Sequence, residues 1–245
     1  MHVLLTRPLQ DAEPLKTRLE ELGCQVMLAP LMEIALLEIG AQALAGATGV
    51  IATSRNALAA LAASPAMDTA THLTLFAVGP GTAAVARSMG FGKVIEGGGT
   101  GEDLVPILMS AGSTERSLVH LTGDLLAYDL EAALSGTGVN IVAVPAYRAI
   151  ACQTLPAEVI KALQSRGIDI VTLMSPRTAR IWARLVAGLS PTLQSTGLTY
   201  VCMSERVREA LGEAAKDSKV LVPARPNIEE MLAVVKRLAG SPKAE

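Results

Sequence analysis

Two stretches decide how this chain is to be read: "HVLLTRP", from His2 to Pro8, and "SLVHLTGD", from Ser117 to Asp124. Each is a short apolar run that ends on Thr and a turn residue. Each leads into an amphipathic segment and then into a second apolar run. After the first, Leu15, Leu19 and Leu22 fall at helical spacing, Gly23 sits where a helix ends, and "CQVMLAP" follows as a strand. After the second come "DLLAYDLEAALSGTG" and "NIVAVPAY", in the same grammar.

The parts between also pair. "GVIATSRNALAAL" (Gly49 to Leu61) matches "DIVTLMSPRTARIWARL" (Asp169 to Leu185), each a strand closing on Ser before a helix start. "LFAVGPGTAAVARSMG" (Leu75 to Gly90) matches "YVCMSERVREALGEA" (Tyr200 to Ala214), and "KVIEGGGTGEDLVPIL" matches "KVLVPARPNIEEMLAVV". Five pairs in order, about 115 to 125 residues apart, point to a duplication. Strands alternating with helices imply parallel sheets covered on both faces, so an α/β protein of two doubly wound, flavodoxin-like domains is expected. Ligands of such sheets bind beyond the carboxyl ends of the strands, where helix N-termini present free amides that attract anions.

Composition narrows the function. The chain has 245 residues, half of them hydrophobic, but aromatics make up only 2%, too few for a base-stacking surface. A net charge of −2 without a basic run speaks against nucleic acid as a partner. The chain opens directly into a strand without a leader-like segment, and no apolar stretch is long enough to span a bilayer, so a cytoplasmic protein without membrane contact is expected. Cys24, Cys152 and Cys202 show no C-x-x-C spacing and suit core positions. His2, His72 and His120 share no ligand spacing, so no metal site is expected.

The ordered set "LLTRP", "ATSRNAL", "FAVGPGTAAV", "TGEDL", "VPAYR", "MSPRTAR" and "CMSERVREAL" resembles the uroporphyrinogen-III synthase family over essentially the whole chain. The resemblance implies two flavodoxin-like domains joined by a two-stranded connector, drawn from "MEIALLEIG" and "YRAIACQTL". It implies a crossing, with residues 1–36 plus 151–245 in one domain and 38–147 in the other. A linear split near residue 115 would use the same repeats. The implied reaction is cyclisation of hydroxymethylbilane, with inversion of the last pyrrole ring and loss of water, needing no cofactor. The substrate is a polyanionic tetrapyrrole; a monomer is expected.

The resemblance places Tyr147, in "PAYR", at the family's active-site tyrosine, where a phenol can donate a proton to the departing hydroxyl. Thr82 matches a threonine at a helix start, and Ser54 and Ser175 match positions near substrate carboxylates. Gly79 and Gly81 would let backbone approach the ligand. Because the substrate is anionic and the chain is mildly acidic, local cations must do the attracting. Arg7, Arg55, Arg148 and Arg177 all lie in strand-end loops, where a guanidinium can grip a carboxylate. Two departures from the family stand out: Val207 occupies the repeat position of Thr82, and Ala127 stands where many relatives have Arg. Other classes share the architecture: a non-catalytic two-domain protein binding a small anionic ligand, and a receiver-like or flavin-binding module. The second lacks an acidic cluster at the strand ends and aromatics to sandwich a flavin.

Overall fold

The computed structural model describes residues 1–110, 116–126, 128–189, 197–216 and 218–240. Ala127 lies outside them. Eleven strands form among the described residues: β1 His2–Leu5, β2 Gln25–Leu28, β3 Met32–Leu36, β4 Gly49–Ala52, β5 Thr74–Ala77, β6 Lys93–Glu96, β7 Arg116–Gly123, β8 Val139–Ala151, β9 Ile170–Leu173, β10 Thr199–Cys202 and β11 Lys219–Leu221. The helices are α1 Leu9–Glu21, α2 Arg55–Ala62, α3 Met67–Thr71, α4 Pro80–Ser88, α5 Gly101–Ser110, α6 Leu130–Ala133, α7 Ala157–Gln164, α8 Pro176–Ala187, α9 Glu205–Leu211 and α10 Ile228–Ala239.

The strands form two sheets. One runs β11-β10-β9-β1-β2; the other runs β3-β8-β7-β4-β5-β6. The repeat is visible in these orders. With β1 and β2 matched to β7 and β8, and β9, β10 and β11 to β4, β5 and β6, the two sheets share one topology, to which β3 adds an edge. Each sheet therefore combines strands from both copies. The chain divides accordingly into two compact units, one of residues 1–33 and 150–245, the other of 34–149. Passage from one unit to the other occurs within β3 and β8.

The central strands β4 and β9 are buried along their whole length, and because side chains alternate along a strand, each sheet sends apolar residues to both of its faces. In the first unit, Leu4, Val171, Leu173 and Tyr200 face one apolar cluster, while Val3, Leu5, Ile170 and Val201 face another. In the second unit, Val50, Ala52, Leu75 and Val119 face one side, and Ile51, Phe76 and Leu118 the other. With so few aromatics, Ala fills many contact points. Ala57, Ala60, Ala83 and Ala86 are fully buried, which lets α2 and α4 lie close to the sheet. Trp182 is the exception. Its indole Nε1 donates to the Tyr200 hydroxyl at 3.1 Å, satisfying both polar atoms inside the first core. Cys24 and Cys202 are buried free thiols, and burial pushes the Cys202 pKa up to about 12.

Candidate active site

In the second unit a cavity of about 410 Å³ opens at the carboxyl ends of the strands. Val78, directly after β5, and three further segments build it. After β4, Thr53 lies one residue before Ser54, whose side chain caps α2 by accepting from the Asn56 amide at 3.1 Å. After β6, the run Gly99–Glu102 supplies the opposite wall and the start of α5. From β7, β8 and the loop between them come His120, Gly123, Leu125, Leu126, Tyr128 and Tyr147.

Tyr147 is aimed by a defect in the ladder. Thr122 pairs with Pro145, but Gly123 pairs with Tyr147, so β8 carries one extra residue there. Such a bulge bends a strand and redirects the next side chain. The redirected ring lies over Gly123: a Cβ at that glycine would come within 2.7 Å of Tyr147 Cζ and 2.9 Å of its hydroxyl. The glycine is there for space.

His120 is the least exposed polar group on the wall, at 3%. Its Nε2 lies 3.2 Å from Thr53 Oγ1. Burial disfavours the imidazolium and lowers its pKa to about 4, against a smaller upward pull from Asp129. At neutral pH the ring is therefore uncharged. The α5 N-terminus is internally satisfied: the Thr100 hydroxyl donates to Asp103 Oδ2 at 2.7 Å and Thr100 N donates to it at 2.9 Å, two bonds that hold the carboxyl below its ordinary range, while Asp103 N donates back to Thr100 Oγ1 at 3.2 Å.

The residues expected from sequence are distributed as follows. Tyr147 lines the cavity. Ser54 and Arg55 open α2, and Arg148 follows Tyr147 on β8 with its side chain exposed. Gly79 caps α4, but a Cβ there would meet the Gly99 backbone at 3.0 Å, so its missing side chain makes room for protein backbone. Gly81 has open space around the Cβ position. Thr82, the third residue of α4, is buried at 6%; Val207 holds the same position in α9 and is buried too. The remaining three belong to the first unit. Arg7, beyond β1, pairs with Asp11 at 3.4 Å. Ser175 caps α8 in a reciprocal box with Thr178, and Arg177 is the second residue of that helix. Among the described residues no group of three metal-ligating side chains occurs, and no helix is long and apolar enough to cross a membrane.

Thr53, His120, Glu102 and Tyr128 were not singled out from sequence. The available signal was a histidine set within the apolar run "SLVHLTG", with a threonine at the end of the strand that becomes its neighbour.

A sequence model of the uroporphyrinogen-III synthase family, HemD, matches residues 13–233. The chain belongs to the uroporphyrinogen-III synthase family. Its members are cyclising lyases of tetrapyrrole synthesis, and this assignment leaves the non-catalytic binding-protein alternative without support. Solved structures agree in fold. The uroporphyrinogen-III synthetase of Helicobacter pylori aligns over 97% of this chain and 99% of its own, with a TM-score of 0.66 at 16% identity. A mutant uroporphyrinogen III synthase from the extremely thermophilic bacterium Thermus thermophilus aligns over 97% and 98%, with a TM-score of 0.52 at 20% identity. No curated protein matches the chain by sequence.

Proposed function

We propose that the family's cyclisation of hydroxymethylbilane runs on this chain at the cavity of the second unit, with Tyr147 as proton donor to the departing hydroxyl. The observation that carries this reading is the bulge that turns Tyr147 over Gly123 and onto the cavity wall. The electron-rich pyrrole pushes, the C–O bond of the hydroxymethyl group breaks, and the phenol proton leaves with the oxygen as water. The methylene carbon so freed is attacked by the substituted carbon of the last ring, through a spirocyclic intermediate, and ring inversion follows. The ring proton lost at closure restores the phenol. Much of the rate enhancement is positioning, because the untended substrate closes to the wrong isomer.

Substrate carboxylates are assigned to Arg7, Ser54, Arg55, Gly79, Thr82, Arg148, Ser175 and Arg177. Arg148 lies within β8 rather than in the strand-end loop expected for it; the others lie just beyond the carboxyl ends of strands, in the turn or the first helical turn, where donors collect in such sheets. Residues 1–36 plus 151–245 and 38–147 serve as the two domains, with the β3 and β8 segments as their connector. The enzyme works as a cytoplasmic monomer, without nucleic acid.

The test is the isomer of the product. Hydroxymethylbilane is supplied with chelator present and no cofactor added, and the cyclised product is oxidised and resolved. Type III product, formed less selectively at high salt where ion pairs are screened, is the expected outcome. Product that stays type I at every enzyme concentration refutes the reading.

A further inference from the structure

The cavity's charge and its hydrogen-bonding capacity do not fit a carboxylate. Among its described lining residues Glu102 is the one charged side chain, and none is an arginine or a lysine. The adjoining helix N-terminus, which would otherwise attract an anion, is already occupied by Asp103. The other titratable groups around His120 are Tyr128 and Tyr147 on the wall and Asp129 nearby; none is a cation.

What the wall does offer is a matched donor and acceptor. His120 is nine-tenths buried, and its single side-chain hydrogen bond is the one between Nε2 and Thr53 Oγ1. No hydrogen bond to Nδ1 occurs among the described residues, and the ring lines the cavity. A neutral imidazole carries one N–H and one lone pair. If Nε2 accepts from the Thr53 hydroxyl, Nδ1 is left to donate and the Thr53 oxygen to accept. If Nε2 donates, Nδ1 is left to accept and the Thr53 hydroxyl to donate. In both tautomers the pair presents one donor and one acceptor.

We propose that the Thr53–His120 pair is a binding site for an uncharged group that both donates and accepts a hydrogen bond, an alcohol above all. The identity of that alcohol rests on the function proposed above: it is the hydroxymethyl group of the substrate. His120 and Thr53 hold it against Tyr147 and leave the carboxylates to the arginines outside the cavity. An acceptor-only carboxylate would leave one partner of the pair unmatched and would face Glu102. A buried polar group left unpaired costs enough to discriminate strongly.

The experiment uses the full-length protein and two small probes of one shape: pyrrole-2-carboxamide, neutral with donor and acceptor, and pyrrole-2-carboxylate, anionic. With three histidines in the chain, the ring nitrogens of His120 can be followed by long-range proton–nitrogen NMR. A fragment of this size binds with a Kd on the order of millimolar. The carboxamide is expected to shift the His120 nitrogens saturably, and the carboxylate to bind about tenfold more weakly or worse. His120→Gln, which keeps a partner for Thr53 but loses the second nitrogen, and Thr53→Val, which keeps the shape, should each weaken the carboxamide by about tenfold. Equal or tighter binding of the carboxylate overturns the proposal, and so does the absence of a carboxamide shift up to about 20 mM. Carboxamide binding without type III product would leave this site standing and remove the substrate assignment. Type III product with the probe order reversed would do the opposite.

Discussion

The two units answer the same local question differently. In each, a strand ends one residue short of a serine that caps the next helix: Thr53 before Ser54 in the second unit, Met174 before Ser175 in the first. In each, the neighbouring strand places a residue opposite the position three before that serine. His120 stands opposite Ile51, and Leu5 stands opposite Thr172. Where the second unit has a hydrogen-bonded Thr–His pair on a cavity wall, the first has Leu5 and Met174 in one apolar cluster. One topology thus carries a filled strand end and an open one. The difference lies in which side chains the duplication kept polar, since the backbone pattern is shared.

Tyr147 gives the largest lever on this comparison, because it belongs to the open end alone. Tyr147→Phe removes the proton donor and leaves the ring over Gly123. Turnover should fall about a hundredfold, the low end for a general acid, because water can partly substitute. Circular dichroism and the unfolding midpoint should stay unchanged. Full turnover in the Phe variant would return the tyrosine to a packing role.

Converting the open end to the filled one tests the next largest effect. His120 has a folded pKa of about 4 against an ordinary value of 6.5. Above about pH 6.5 it is neutral folded and unfolded, and contributes no pH dependence. As pH falls from there towards 4 the unfolded chain takes up the proton first, so stability declines across this window. The loss sums to about 3 kcal/mol and levels off below it. Asp103 and Glu229, whose carboxyls are held low by Thr100 and Arg18, add losses of the same sign only below the ordinary carboxylate range. His120→Leu with Thr53→Met imports the first unit's pair. Urea midpoints measured between about pH 6.5 and 4.5 should lose their slope in this variant, while turnover drops. An unaltered slope would show that His120 is not the group responsible.

Much of this architecture can be read from the chain, for a local reason. Each strand and helix announces itself within a dozen residues, through apolar runs closing on Ser or Thr and through spacings such as Leu15, Leu19 and Leu22. The sheet partners do not. "HVLLTRP" pairs with β9, more than 160 residues away, and nothing within it distinguishes that partner from β4, which has the same pattern. The site divides along the same line. Tyr147 and the capping serines are visible because each sits in a short motif. The Thr53–His120 contact joins residues 67 apart and exists only because β4 lies beside β7. The charge of the cavity is likewise hidden in sequence, since Arg148 adjoins the wall residue Tyr147 in the chain and Arg55 follows Thr53 by two residues, yet neither lines the cavity.

Gly123→Ala should have a smaller effect than either change above. The new methyl would need the space now held by the Tyr147 ring and hydroxyl. The tyrosine is retained but displaced, so turnover should fall about tenfold, in keeping with the sensitivity of catalysis to small misplacements. In the Phe variant the same change should cost much less turnover, because the hydroxyl it displaces is already gone. Equal losses in both backgrounds would mean that the glycine acts through β7 and β8 themselves.

The capping serines give the finest comparison, because they are related by the repeat and differ in the hydrogen bonds that close the cap. Ser54 accepts from one amide, that of Asn56. Ser175 accepts from Thr178 N at 3.1 Å, and Thr178 Oγ1 accepts from Ser175 N at 3.2 Å, a closed box. Replacing a capping serine by alanine typically costs about 1 kcal/mol. Ser175→Ala loses the acceptor and leaves Thr178 to hold the box alone, so it should cost more than Ser54→Ala, with both in the range of about 0.5–2 kcal/mol by urea unfolding. Stability alone reads only the cap. If the two hydroxyls also donate to substrate carboxylates, each variant should raise KM for hydroxymethylbilane at low salt by about threefold to tenfold, with kcat nearly held, since such a contact binds ground and transition states alike. A stability loss with KM unmoved would leave the serines as helix caps and pass the carboxylates to the arginines.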